Sequence, residues 1–150
     1  MIGFTKYSIR EFRRKARNFS KTLAPSKFEQ FLKSIVIQLW SGFIFGTPVG
    51  NSDLWKVKPK ERYVGGRARG NWQMTINHRA QGIIDTIDPD GMKTMSEGLK
   101  VLSVMPNHGM GITIWITNNL PYIVALENGH STQKPVGWIG MTIQRVGAML

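Results

Sequence analysis

The sequence predicts an α+β domain in which N-terminal helices pack against a small, mainly antiparallel β-sheet. Apolar residues recur at spacings of three and four from Ile9 to Phe43, the period of helices with one buried face. Two later stretches, NWQMTIN and GITIWITNN, alternate apolar with polar residues, the period of strands buried on one side. At 150 residues the chain has one domain's length, enough to bury about 68 to 70% of the unfolded surface. A single domain over residues 1–150 is expected.

The first helix spans about residues 6–23. Ile9, Phe12, Ala16, Phe19 and Leu23 draw a narrow apolar stripe on an otherwise charged surface, so it packs by one edge. Pro25 ends it, and Ser26 with Glu29 three residues on has the pattern of a capping box opening a second helix. Phe28, Phe31, Leu32, Ile35, Leu39 and Phe43, widened by Val36 and Trp40, give that helix a broad buried face, and Gly46-Thr47-Pro48 stops it. Residues 47–70 then form a long connection containing Gly50, Asn51, Pro59, Gly65, Gly66 and Gly70. Connections of this length without structure of their own tend to be functional or ordered by a partner. This one is expected to act as an arm against a neighbouring subunit or DNA.

In the first strand Trp72, Met74 and Ile76 share a face, and residues 78–91 carry no clear period. Met92 to Met105 suits a helix stopped by Pro106. In the second strand Ile112, Ile114 and Ile116 face one way and Thr113, Trp115 and Thr117 the other, which makes Trp115 a candidate contact. After Pro121, Tyr122, Ile123 and Leu126 sit on a helix barely two turns long, ended at Asn128-Gly129 by a left-handed glycine. Residues 138–150 read as a last helix or strand.

Cysteine is absent, which excludes disulfides, thiolate zinc sites and cysteine nucleophiles. The longest apolar run, IVIQLWSGFIFG, is shorter than the roughly 20 residues of a membrane span, so none is predicted. The net charge is +11, and the cations cluster. Lys6, Arg10, Arg13, Arg14, Lys15, Arg17 and Lys21 lie in one segment; Lys56, Lys58, Lys60, Arg62, Arg67 and Arg69 lie in another. Such clusters neutralise phosphates and release counterions, or meet acidic protein faces.

Catalytic patterns are weak. His78, His108 and His130 fall in predicted loops without zinc-binding spacing. Asp88, Asp90 and Glu97 partly match a calcium loop, but Thr86 stands at its first position and Lys93 at its eighth. An Asp-Pro-Asp-Gly turn accounts for the same residues. GGRARG lacks the ending of a phosphate-binding P-loop; it reads as a flexible entry to the first strand or as a backbone nest for phosphate. No enzymatic activity, cofactor or metal is expected.

GTPVGNSDLWK after a helix, then YVGGRARGNWQ, then IWITNNLPYIVALENGHSTQKPVG together resemble the neck and tail-completion proteins of tailed bacteriophages. This head–tail joining family includes minor tail protein Z-like members. The resemblance covers residues 35–145, and the Asn-Asn-Leu-Pro-Tyr to Gly-His-Ser-Thr-Gln block is its most specific part. It implies a virion subunit assembled in the bacterial cytoplasm into a ring, a hexamer by preference. The ring would join the portal-side assembly to the tail tube or terminator and help retain the packaged double-stranded DNA passing through it.

On this resemblance Asn118, Asn119, Pro121, Tyr122, Leu126, Glu127, Gly129, His130 and Gln133 are conformational or interface positions. Ser131, Trp115 and Trp55 join them as candidate subunit contacts. Arg10, Arg13, Arg14, Arg17, Lys56, Lys58, Lys60, Arg67 and Arg69 form a candidate basic surface toward DNA or a partner ring. Family members often carry Ala-Pro-Ala-Gly-Met where this chain has Lys134-Pro135-Val136-Gly137-Trp138. In a channel, strong phosphate binding would impede DNA sliding, which favours an acidic partner ring for the basic clusters. The alternatives are a small basic nucleic-acid-binding module, a metal-dependent nuclease using Asp85, Asp88 and Asp90, and a membrane-binding basic helix at residues 6–23.

Overall fold

A computed structural model describes residues 6–131 and 133–150. In chain order it contains α1 (Lys6–Ser20), α2 (Pro25–Gly46), a 3-10 turn (Ser52–Leu54), α3 (Arg67–Gly70) and β1 (Trp72–Ile76). There follow α4 (Met92–Ser103), a 3-10 turn (Pro106–Gly109), β2 (Ile114–Asn118), α5 (Ile123–Glu127) and α6 (Trp138–Ala148). β1 and β2 pair antiparallel, with Trp72 opposite Asn118 and Ile76 opposite Ile114. The expected α+β class, with N-terminal helices on a small antiparallel sheet, is the observed one. No helix among the described residues is long and apolar enough to cross a membrane.

α2 is the central element, packing on α6, α4 and the Pro106–Gly109 turn, while α1 packs on α6 and β1 on α4. The core joins Val36, Trp40, Phe43 and Ile44 of α2 to Trp72 and Met74 of β1, Leu102 of α4, Ile123 of α5 and Trp138 of α6. Phe43 and Trp72 stack with centroids 5.2 Å apart, and each such fully buried side chain contributes about 1.5–3 kcal/mol.

Several expectations are corrected. Ser26 does not cap α2. The helix begins at Pro25 with Ala24 as N-cap and no side-chain cap bond, because proline fits the first helical position, where its missing N–H is no loss. Glu29 instead pairs with Lys33 at 2.6 Å and His108 at 2.5 Å. On the broad face of α2, Ile35, Val36, Trp40 and Phe43 are buried, whereas Phe28, Phe31, Leu32 and Leu39 are half-buried, Phe31 meeting Phe19 of α1 at 4.7 Å.

α1 ends at Ser20 and α4 at Ser103, short of the expected 23 and 105. Thr117, on the supposedly polar face of β2, is buried. The undecided segment from residue 138 is the helix α6. Its Gly147 lets Phe12 of α1 approach, 3.2 Å from where a Cβ would stand.

The connection 47–70 is not without structure. Thr47, Pro48, Gly66, Ala68, Arg69 and Gly70 are buried, and the 3-10 turn and α3 lie within it. GGRARG is neither a flexible entry nor an open nest: Gly66 adopts φ 109, and its carbonyl accepts the N–H groups of Gly70 and Asp88. A side chain at Gly66 would run into the backbone of Asp88 and Pro89. Only residues 51–64 project, closed at their base where Gly65 lies against Gly50.

Candidate interaction surface

The projecting segment is folded on itself. Asn51 accepts the Asp53 N–H at 2.9 Å, Lys58 donates to the carbonyls of Ser52 and Asp53, and Trp55 leans on Tyr63 with centroids 4.6 Å apart. Across from it, α5 buries Ile123 and leaves Val124 exposed, as is Tyr122 just before the helix. Gly129, at φ 96, turns the chain out of α5, and the N–H of His130 returns to the Ala125 carbonyl at 3.1 Å. The Gly137 N–H donates to the Glu127 carbonyl at 2.8 Å, which closes the loop at its far end.

Between these two segments lies a cleft of about 300 Å³. Trp55, Tyr63 and Tyr122 supply aromatic surface, Arg67 a cation, and His130, Ser131 and Gln133 polar groups; Leu126 and Pro48 add apolar surface. None of its lining residues is acidic. Arg67 leans toward Asp85 at 3.5 Å, an exposed pair of little strength. Burial and the neighbouring Tyr63 push the Tyr122 hydroxyl up from its ordinary pKa, with Arg67 acting in the opposite sense.

No family model, curated protein or solved structure matches this chain.

Of the expected positions the cleft brings together Trp55, Tyr122, Leu126, His130, Ser131 and Gln133. Tyr63 was missed; the signal for it was an aromatic in a basic loop just before a Gly-Gly pair. Trp115 is exposed on β2 opposite Thr75 and does not line the cleft.

Three expected contacts face inward instead. Glu127 is 1% exposed, and its carboxylate accepts the N–H groups of Ile139 at 3.1 Å and Gly140 at 3.3 Å. It thereby supplies acceptors for the open first turn of α6. Asn118 donates to the Ala68 carbonyl at 2.9 Å and accepts from the Leu120 N–H at 3.2 Å. Asn119 donates to the carbonyls of Ala80 and Gly82. Both amides stitch loops to β2 and have little left for a neighbour.

Among the basic candidates, Arg10, Arg13, Arg14 and Arg17 are exposed together on α1, and Lys56, Lys58 and Lys60 on the projecting segment. Arg69 is the correction. It is buried, donating to the carbonyls of Pro89 and of Thr47, the latter at 2.9 Å. Removal from water lowers its pKa, partly opposed by Asp88 and Asp90. It braces three segments and cannot reach a partner.

The remaining polar groups have structural partners too. Asp88 accepts the Thr94 N–H at 2.7 Å and hydroxyl at 2.6 Å, and Asp90 accepts the Met92 N–H at 2.9 Å, so both serve the start of α4. Burial alone would raise the Asp88 pKa; the two bonds from Thr94, helped by the Lys93 backbone, outweigh it and leave it lowered. His78 and His130 each pair Nδ1 with a backbone carbonyl, those of Ile76 and Ala125. No group of three His, Asp or Glu able to hold a metal occurs among the described residues.

Proposed function

We propose that the protein is a structural subunit that assembles into a ring, a hexamer by preference, at the head–tail junction of a tailed phage. The neighbour's grip falls on the cleft between the projecting segment and the loop after α5. One observation carries the reading: residues 48–68 and 122–133, which belong to the separate blocks resembling phage neck proteins, converge on that single cleft. The cleft combines exposed aromatic side chains with a guanidinium and neutral polar groups, the composition of binding surfaces rather than of a solvated face. The carboxylates of Glu127, Asp88 and Glu29 are engaged in holding helices, which favours a building block over a catalyst.

The test is the solution mass by light scattering across protein concentration and salt, with and without isolated phage tails or connectors. A discrete mass near six subunits, or a monomer that closes into a ring only on those particles, is expected. His130→Ala with Gln133→Ala should weaken that assembly while the monomer keeps its melting temperature. Rings that persist at unchanged concentration in this variant would remove the cleft from the interface.

A further inference from the structure

Of the two basic clusters the sequence offers, the structure leaves one intact. On the projecting segment Lys58 is engaged with backbone carbonyls, and Asp53 and Glu61 share its surface. Arg67 leans on Asp85 and Arg69 is buried. On α1, by contrast, Arg10, Arg13, Arg14 and Arg17 are all exposed, and the one acid of the helix, Glu11, is paired with Lys15.

These four arginines fall within about 100° of the helix circumference at 3.6 residues per turn. Phe12, Ala16 and Phe19 lie on the opposite side, where Phe12 meets Gly147 of α6. α6 therefore holds α1 by its apolar edge and turns the guanidinium face outward. An open concavity of about 620 Å³ runs along that face, lined by the four arginines and by Lys21 just beyond the helix end.

We propose that this face of α1 binds the phosphate backbone of double-stranded nucleic acid without reading its sequence. From Arg10 to Arg17 is about 10.5 Å at 1.5 Å rise per residue, so the stripe carries one cation per roughly 3.5 Å. One strand of duplex DNA carries a phosphate per about 3.4 Å. The two linear charge densities match, and guanidinium forks suit pairs of phosphate oxygens. No aromatic side chain stands among these arginines to stack on a base, and the lining residues besides the cations, Ile9 and Asn18, offer only one amide to a base edge. A second copy of the chain is a poor occupant, because its surface is also strongly positive. The site is independent of the cleft and of any ring.

The test is fluorescence anisotropy of a labelled duplex of arbitrary sequence with the full chain, across roughly 50 to 200 mM salt. Five cations predict a log–log salt slope near −4.5 at about −0.9 per phosphate neutralised. Arg13→Gln with Arg17→Gln, both exposed and outside the core, should reduce the slope by about 2 and weaken binding roughly 50-fold at 0.1 M salt. Lys56→Gln with Lys60→Gln should leave the slope nearly unchanged.

Circular dichroism should show that each variant keeps its helices, and Arg10→Gln alone should remove about 0.9 of the slope. An equal or larger loss from the Lys56 and Lys60 variant, or no duplex binding at the lowest salt, would overturn the proposal. So would displacement of the duplex by poly-glutamate at equal charge, which would make the partner an acidic protein surface. Tighter binding to vesicles of anionic lipid than to duplex would assign the face to a membrane instead.

Discussion

The indole N–H of Trp72 donates to the hydroxyl of Thr47 at 2.7 Å, and that hydroxyl in turn donates to the Phe43 carbonyl at 2.6 Å. Thr47 is fully buried at the end of α2, and its own carbonyl receives Arg69. One side chain thus ties the first strand, the central helix and the buried arginine. Thr47→Val keeps the shape but leaves the indole donor without a partner, at a cost of about 1–3 kcal/mol. Thr47→Ser should retain most of the stability. Urea midpoints of the two variants at neutral pH check this.

Gly98 of α4 lies against the indole of Trp40, and a Cβ there would collide with Nε1 and Cε2. Trp40 is 1% exposed and donates to the Met95 carbonyl at 3.3 Å, so it has nowhere to move. Although alanine favours helix over glycine, Gly98→Ala should destabilise by about 1–3 kcal/mol through overpacking. In a chain of this size that lowers Tm by roughly 2–4 °C per kcal/mol. Calorimetry reading an unchanged or raised Tm would contradict the packing described.

Burial pushes the Glu127 carboxyl above its usual 4.5, while the Ile139 and Gly140 N–H groups pull it down without prevailing. The folded state therefore holds this proton more tightly than the unfolded chain does. Its contribution to stability is fully present below pH 4.5 and is lost as pH rises through the raised value. Glu127→Gln should flatten the fall in stability above pH 4.5, and Glu127→Ala should cost about 1–3 kcal/mol by leaving two N–H groups of α6 open. Denaturant midpoints followed across pH for the three proteins separate these outcomes.

Glu29 has the opposite sign. Its hydrogen bonds with Lys33, first, and His108 lower its pKa from 4.5. The stability it contributes is present above 4.5 and lost as pH falls through the lowered folded value. Glu29→Gln should therefore shrink the acid-induced loss of stability without abolishing it, since Asp88 is lowered as well. Equilibrium unfolding in urea at successively lower pH reads the difference; an acid limb identical to that of the parent protein would exclude the pair.

The elements most legible in the sequence were those whose signal is local. The alternation in NWQMTIN gave β1, the apolar period gave α2, and Asn128-Gly129 gave the end of α5, because each depends on neighbours within one turn or one strand. α3 and α6 were hidden by their glycines, which serve close packing between elements rather than breaks. The roles of Asn118, Asn119, Glu127 and Arg69 were hidden because their partners lie 10 or more residues away.

Glu127 did carry a trace of its role. A carboxylate in the last turn of a helix opposes the helix dipole, which points to a use outside its own helix. The cleft was half legible. The resemblance singled out Tyr122, Leu126, His130 and Gln133, and Trp55 and Ser131 stood beside them as candidate contacts, but only the fold brings Tyr63 and Arg67 to the same place.

The pairing of Ile76 with Ile114 and Trp72 with Asn118 also has a kinetic side. The two strands enclose all of α4 and the turn after it, so the sheet forms only once a long loop has closed. Closing such a loop costs entropy before its contacts can compensate, and two strands by themselves are marginal. α1 and α2, built from local contacts and made before either strand, are in place first. During synthesis the β1 segment therefore leaves the ribosome with a bare hydrogen-bonding edge and apolar Trp72 and Met74, well before β2 exists to cover it. That interval is when one nascent chain is most exposed to pairing with another.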